Sequence, residues 1–171
     1  MISSPFDYAP DIGDNNPLEM VEELCDSKGW KYTRVDNDLL TLSIPGHKGV
    51  RYELCLEWQE EFSAVLFSCC IPLEIKDAQY EGACATIQEI NENLWMGHFD
   101  LSHKGVYPTY RQTLLFRMIP SGIAVDIVQD TMEIAVAECD RFYTTFQLIQ
   151  AGDTRLRENL SAAIFETIGE A

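Results

Sequence analysis

Apolar residues along the chain recur with two different periods, and the period changes predict the elements. Leu18, Val21, Leu24 and Cys25 recur at helical spacing. Asn16 before Pro17 supplies a start, Glu19 a capping-box partner and Gly29 a stop, which predicts a first helix. Period-two alternation follows. Leu40, Leu42 and Ile44 alternate with Thr41 and Ser43, and Tyr52, Leu54, Leu56 and Trp58 alternate with Glu53 and Glu57. The run Phe62–Leu73 is apolar almost throughout, which predicts a strand covered on both faces.

Helical spacing returns over Asp77–Trp95, with Tyr80, Ala83, Cys84, Ile87, Ile90 and Leu94 on one stripe and Gly97 as the stop. Two strands are predicted over His98–Ser102 and Tyr107–Met118. A long helix then runs from about Gly122 to Gln150, with Ile123, Ile127, Ile134, Phe142, Phe146 and Ile149 inward. Ala151-Gly152-Asp153 breaks it, and a last helix over Leu156–Ile168 buries Leu156, Leu160, Ala163, Ile164 and Ile168. The order is helix, three strands, helix, two strands, helix, and an extra C-terminal helix. That order predicts an α+β fold, a mainly antiparallel sheet packed by helices. Residues 1–15, rich in Pro, Gly, Asp and Asn and without periodicity, read as a flexible arm, and residues 16–171 as one domain.

Composition narrows the partners. The chain has 171 residues, 46% of them hydrophobic, and a formal charge of −16. That field repels phosphates, so neither nucleic acid nor an anionic membrane surface is expected as a partner. The longest uncharged run is Phe62–Leu73, well short of the roughly 20 residues of a membrane-spanning helix. The acidity is uneven: residues 1–27 hold seven acids and no base, while residues 101–117 hold three bases and no acid. Six cysteines without a CxxC pair, and an N-terminus without a basic, apolar leader, are expected to be reduced thiols in the cytoplasm.

The search for chemistry yields structural groups rather than a catalytic set. His98 and Asp100 share one strand face, but His103 has the opposite parity, so no tetrahedral metal site is indicated. There is no GxSxG elbow and no phosphate-cradling loop, so no cofactor and no enzymatic activity are expected. Asp126, Asp130, Glu133 and Asp140 fall on one stripe of the long helix, which reads as solvated. Glu138 departs from it, projecting among Ile127, Thr131, Ile134 and Phe142. Its carboxylate needs a cation: Arg141, three residues on, or Arg111 or Arg117 from the preceding strand, in an ion pair tying helix to sheet. Asn91, inside the apolar stripe between Ile87 and Leu94, is expected to bond an edge backbone or fix a helix register. Trp58 and Trp95 stand at element ends, where aromatics line grooves or interfaces.

Three segments carry a resemblance. Ile90-Asn91-Glu92-Asn93-Leu94-Trp95-Met96-Gly97-His98-Phe99 resembles the INExLWxGHF segment of the YbjN-domain family, and Glu138–Gln147 resembles its ECxRFYxxFQ stretch. Glu166–Ala171 (ETIGEA) is similar to an ending found in one branch of the family. The likeness extends from about Asn16 to Ala171. The family carries the label of bacterial sensory-transduction regulators and has no established catalytic residues. The resemblance implies a fold similar to type III secretion chaperones, which pair through the second helix and its neighbouring strand. It therefore implies a homodimer, with Tyr80, Ile87, Trp95 and Trp58 as candidate partner or dimer surface.

Two functions follow. The first is a non-enzymatic, chaperone-like or regulatory module whose apolar grooves hold a segment of another protein. The second is a small-molecule sensor or enzyme with a pocket between sheet and helices, using Glu138, His98 or a cysteine.

Overall fold

The first helix of the computed structural model, α1 (Pro17–Lys28), shows how closely local chemistry sets its ends. Asn16 Oδ1 accepts the Leu18 amide at 3.0 Å. Gly29 closes the helix in the left-handed conformation, and the Trp30 amide reaches back to the Cys25 carbonyl at 2.9 Å. Leu18, Val21, Leu24 and Cys25 are buried, as the stripe predicts. The structure describes residues 16–101, 106–117, 119 and 121–165. The N-terminal arm, Ser102, His103, Met118 and Glu166–Ala171 with Ile168 lie outside the described residues.

Six strands follow in one antiparallel sheet: β1 (Lys31–Asp36), β2 (Leu39–Pro45), β3 (Arg51–Gln59), β4 (Ala64–Cys70), β5 (His98–Asp100) and β6 (Thr109–Leu115). Their order across the sheet is β1-β2-β3-β4-β6-β5. The remaining helices are α2 (Tyr80–Asn91), α3 (Ser121–Ala151) and α4 (Leu156–Phe165). The fold is α+β with helices packed on an antiparallel sheet, as the element order predicts.

Four expectations need correction. A strand more than the pattern predicts lies between α1 and α2. That strand, β1, is an edge strand of mostly exposed side chains, so it lacks the alternation that betrays a half-buried strand. The second concerns Phe62–Leu73, which is not covered on both faces. Val65, Phe67 and Cys69 of β4 enter the core, whereas Leu66 on the other face is 42% exposed. The run looks continuous because its outward positions are uncharged, Ser68 and Cys70 included. Its last part leaves the sheet. Ile71 and Ile75 are buried and donate to the carbonyls of Pro108 and Val106.

The third correction is the phase of α3. Its inward stripe is Ala124, Val128, Met132, Ala135, Cys139, Phe142, Phe146 and Ile149, whereas Ile123 is exposed. The fourth follows from the same phase: Asp140, expected on a solvated stripe, is 6% exposed. Asp126, Asp130 and Glu133 are exposed, as expected.

Thus the sheet has a covered side and an open one. The covered rows include Tyr32–Leu42–Leu54–Cys69–Tyr110–Phe99. On the open side the matching rows are Thr33–Thr41–Cys55–Ser68–Arg111–His98 and Leu39–Glu57–Leu66–Thr113. The helix α4 packs against α3.

Candidate functional site

The buried polar groups come first, because each could be a reactive centre or a structural tie. Glu138 Oε2 lies 3.0 Å from Arg141 Nη1, with both side chains 9% exposed. Arg141 also donates through Nε to the Ala163 carbonyl at 2.6 Å and through Nη2 to the Ile164 carbonyl at 3.0 Å. Its guanidinium lies 4.6 Å from the centre of the Phe142 ring. The pair therefore ties α3 to the last turn of α4, not to the sheet. Of the other two candidate partners, Arg111 bonds Asp100 at 3.0 Å on the open face, and Arg117 is exposed beyond the end of β6.

Asn91 holds a sheet edge. Its Nδ2 donates to the Phe99 carbonyl at 3.0 Å, and its Oδ1 accepts the Phe99 amide at 2.7 Å. The side-chain amide thus stands in for a neighbouring strand along β5, satisfying backbone groups that an edge leaves open. Asn91→Leu keeps the volume and removes both bonds. It is expected to cost about 2–3 kcal/mol, since two partly buried backbone groups lose their partners. Urea unfolding measures the cost, and the Phe99 amide should exchange faster with solvent; an unchanged midpoint would refute the bridging role. Next to this edge, Gly97 has φ +65°, and a Cβ there would collide with the Tyr110 hydroxyl. That hydroxyl donates to the Met96 carbonyl at 2.9 Å.

Asp140 is the group that sequence reasoning missed. It accepts the Tyr52 hydroxyl at 2.7 Å and the His47 amide at 2.7 Å, fastening the β2–β3 turn to α3. Burial, followed by the Asp140 carboxylate, holds the Tyr52 phenol far above its ordinary range, so it remains a donor. The usable signal was helix phase. Once Cys139 is placed inward, Asp140 lies one residue away, beside Val136 and Tyr143.

The thiols are free in all six cases. Cys139 and Cys69 face each other across α3 and β4, Sγ to Sγ 3.6 Å, both fully buried. Burial, reinforced by Cys69, pushes the Cys139 thiol up, away from the reactive thiolate. Cys55 and Cys70 are half-buried on the open face, and burial raises both there too.

His98 is exposed on that open face, opposite Arg111, whereas Glu138 lies between α3 and α4. The structure does not bring the two together. A hollow of about 510 Å³ is present elsewhere, at the β1–β2 turn, lined by Asp36, Asn37, Asp38, Leu39 and Glu57. Among the described residues no three His, Cys, Asp or Glu side chains are grouped so as to hold a metal.

Of the residues expected on a partner surface, Ile87 is 7% exposed and belongs to the core. A stripe shared by Ala83 and Ile90 turns it inward. Tyr80 is half-buried, its hydroxyl 3.3 Å from the Leu101 carbonyl. Trp58 is half-buried edge-on to Phe116, with ring centres 6.4 Å apart. Trp95 is 68% exposed after α2.

A second apolar surface was not anticipated. Phe62, Leu66 and Leu115 are exposed by 53%, 42% and 63%. Leu115 pairs with Ala64, and Leu66 lies two residues along the same strand, so the two leucines are diagonal neighbours on the open face. Phe62 sits in the short turn that joins β3 to β4, and half-buried Leu39 extends the row across Glu57. The charges on this face are Lys31, Arg51 and Arg111 against Asp36, Glu53, Glu57 and Asp100. A contiguous apolar patch rimmed by polar and charged residues is how protein-binding surfaces differ from ordinary surface.

No curated protein matches the chain. Among solved structures, a likeness is found to "Crystal structure of YbjN, a putative transcription regulator from E. coli", at 15% identity and a TM-score of 0.48, covering 72% of this chain and 90% of that one. No helix among the described residues is long and apolar enough to cross a membrane. The family described as "YbjN: Putative bacterial sensory transduction regulator" matches residues 17–148. That span runs from the first turn of α1 to near the end of α3, and the chain belongs to the YbjN family.

Proposed function

We propose that this chain is a non-enzymatic regulatory module that binds a segment of another protein on the open face of its sheet. The observation that carries this reading is the exposed pair Leu66 and Leu115 on a sheet face that the helices leave uncovered, with exposed Phe62 in the adjoining turn between β3 and β4. The polar groups that could have served catalysis are engaged otherwise: Glu138 with Arg141, Asp140 with Tyr52, and Asn91 with Phe99. The family description, a bacterial sensory transduction regulator, agrees with such a role. Six free thiols suit a reducing cytoplasm. A homodimer, which the likeness to secretion chaperones implies, would draw on Trp95 rather than Ile87. The acidic helices then keep the protein soluble and influence encounter, while the apolar patch provides contact.

The test is affinity capture with the wild type and with Leu66→Glu/Leu115→Glu. A specific protein recovered by the wild type should be lost by the variant roughly 30-fold, the effect of removing about 2 kcal/mol at a central contact. Ile123→Glu, on an exposed position of α3, should retain it. Equal recovery by both variants, or repeated recovery of the bare protein carrying a metabolite, would defeat the reading. Circular dichroism of each variant establishes that it is folded.

A further inference from the structure

We propose that the segment held on the open face is basic and amphipathic, its apolar residues over Leu66 and Leu115 and its lysines or arginines over the carboxylates at the same end of the sheet. The inference rests on the function proposed above and adds the chemistry of the partner. It begins from where the charges lie along the strands. The row Asp36–Leu39–Glu57–Leu66–Thr113 and the pair Ala64–Leu115 form one end of the open face, and neither holds a base. Lys31, Arg51 and Arg111 stand in the rows farther along the strands, with Glu53 and Asp100.

Two turns add to the acidic end. Asp38 lies between β1 and β2, and Glu60 and Glu61 precede Phe62 between β3 and β4. Asp36, Asp38, Glu57, Glu60 and Glu61 are all exposed. Among the described residues none of the five is in an ion pair. Arg34 reaches the β1–β2 turn, but it is already engaged. Its Nη1 lies 3.3 Å from Glu22, and its Nε donates to the Asp36 carbonyl at 2.7 Å. Arg111 is held by Asp100. That leaves exposed Arg117, beyond β6, against five carboxylates.

The hollow at the β1–β2 turn joins this charge to the apolar patch. Asp36, Asp38 and Glu57 line it together with Leu39, and Glu57 stands between Leu39 and Leu66 in one row. Leu39 and Leu66 are thus two strand spacings apart, about 10 Å. A lysine or arginine can lay its stem along Leu39 and set its charge among the three carboxylates. An apolar residue about seven positions away on a helix, or about three on an extended chain, then reaches Leu66. An acidic segment would bring carboxylates against carboxylates. A second copy of a chain with charge −16 meets the same repulsion. The rim charges stay in water, so they select the partner and speed its encounter, while the leucines hold it.

The experiment measures binding to the full chain by fluorescence anisotropy, using two labelled peptides. One carries leucine and lysine at the spacing of an amphipathic helix, and the other has glutamate in place of every lysine. The leucine–lysine peptide should bind roughly 30-fold or more tightly than its counterpart at ~0.05 M salt, and the gap should narrow several-fold at ~0.5 M as screening shortens. Glu57→Gln/Glu60→Gln/Glu61→Gln should weaken it roughly ten-fold at the lower salt, whereas Asp126→Asn/Asp130→Asn/Glu133→Gln on α3 should change it less than about two-fold. Leu66→Ser/Leu115→Ser should weaken it roughly ten-fold at both salt concentrations. Equal losses from the rim and α3 variants, or no loss from the serine variant, would show adsorption to net charge and overturn the proposal. No binding of the leucine–lysine peptide would overturn it as well, while capture with Leu66→Glu/Leu115→Glu still decides the proposed function. Equal binding of both peptides, lost in the serine variant, would overturn the basic partner and leave the apolar docking face standing.

Discussion

Arg141→Ala is expected to destabilise the protein by about 3–5 kcal/mol, the range for a buried ion pair that loses one partner. Three consequences combine. The Glu138 carboxylate keeps its buried position without a counter-charge. The carbonyls of Ala163 and Ile164 lose their donors at 2.6 and 3.0 Å. The aliphatic stem and guanidinium also leave a gap against Phe142. Because those carbonyls belong to the end of α4, the loss should be local as well as global. Amides of α4 should exchange faster than those of β3 and β4, which lie in the middle of the sheet. Arg141→Lys keeps the charge but cannot reach Glu138 and two carbonyls at once, so it should fall between the wild type and alanine. Glu138→Ala/Arg141→Ala removes the stranded charge and should recover part of the loss, though not the part due to α4. Urea denaturation across the four proteins decides the matter. An Arg141→Ala midpoint close to the wild type would show that water replaces the arginine and that the pair is not a structural tie.

The fate of Glu138 also shows what could be inferred from sequence and what could not. A carboxylate out of phase with an acidic stripe, with an arginine three residues on, was enough to expect the pair. The direction of the tie was not, because sequence spacing does not say which element lies beyond a helix face. The same division holds elsewhere. Asn16, Pro17 and Gly29 announce α1 because caps are local chemistry. Asn91 announces itself as an amide in an apolar stripe. By contrast, β1 is hidden because an edge strand is half solvated and carries no regular burial pattern. The open face was hidden for a related reason. In Phe62–Leu73, Leu66 alternates with Val65 and Phe67, and only tertiary packing decides that one parity faces helices and the other does not.

That missing information is what moves the candidate site. With the run read as covered on both sides, apolar surface for a partner had to be sought on α2, where Ile87 proves to be core. With one parity of β4 open, the apolar cluster lies on the sheet, and Trp95 lies apart on the turn after α2. The acidic charge then has a place in the argument. Much of it resides on the helices, and the open sheet face carries four acids against three bases, so apolar contacts there desolvate few unmatched carboxylates.

Gly46→Ala is expected to cost about 2–3 kcal/mol, a large effect for a single methyl group. The backbone there is not left-handed, so alanine is allowed by conformation and the penalty is one of space. A Cβ at residue 46 would sit 2.5 Å from Tyr52 Cε2 and 2.6 Å from Asp140 Oδ1. Both neighbours are buried, and they hold each other through the 2.7 Å bond from the Tyr52 hydroxyl to that same oxygen. Neither can yield without loosening the bond, so the methyl group acts by prising apart a hydrogen bond to a buried charge. A double-mutant cycle tests this route. Tyr52→Phe alone should cost about 2 kcal/mol, because a buried carboxylate loses one of its donors and keeps the His47 amide. If the methyl group already breaks that bond, Gly46→Ala/Tyr52→Phe should cost about 1 kcal/mol or more less than the sum of the single changes. Additive costs would mean that the turn moves away as a unit and leaves Tyr52 bonded to Asp140. The β2–β3 turn would then be hinged on α3 instead of fastened to it.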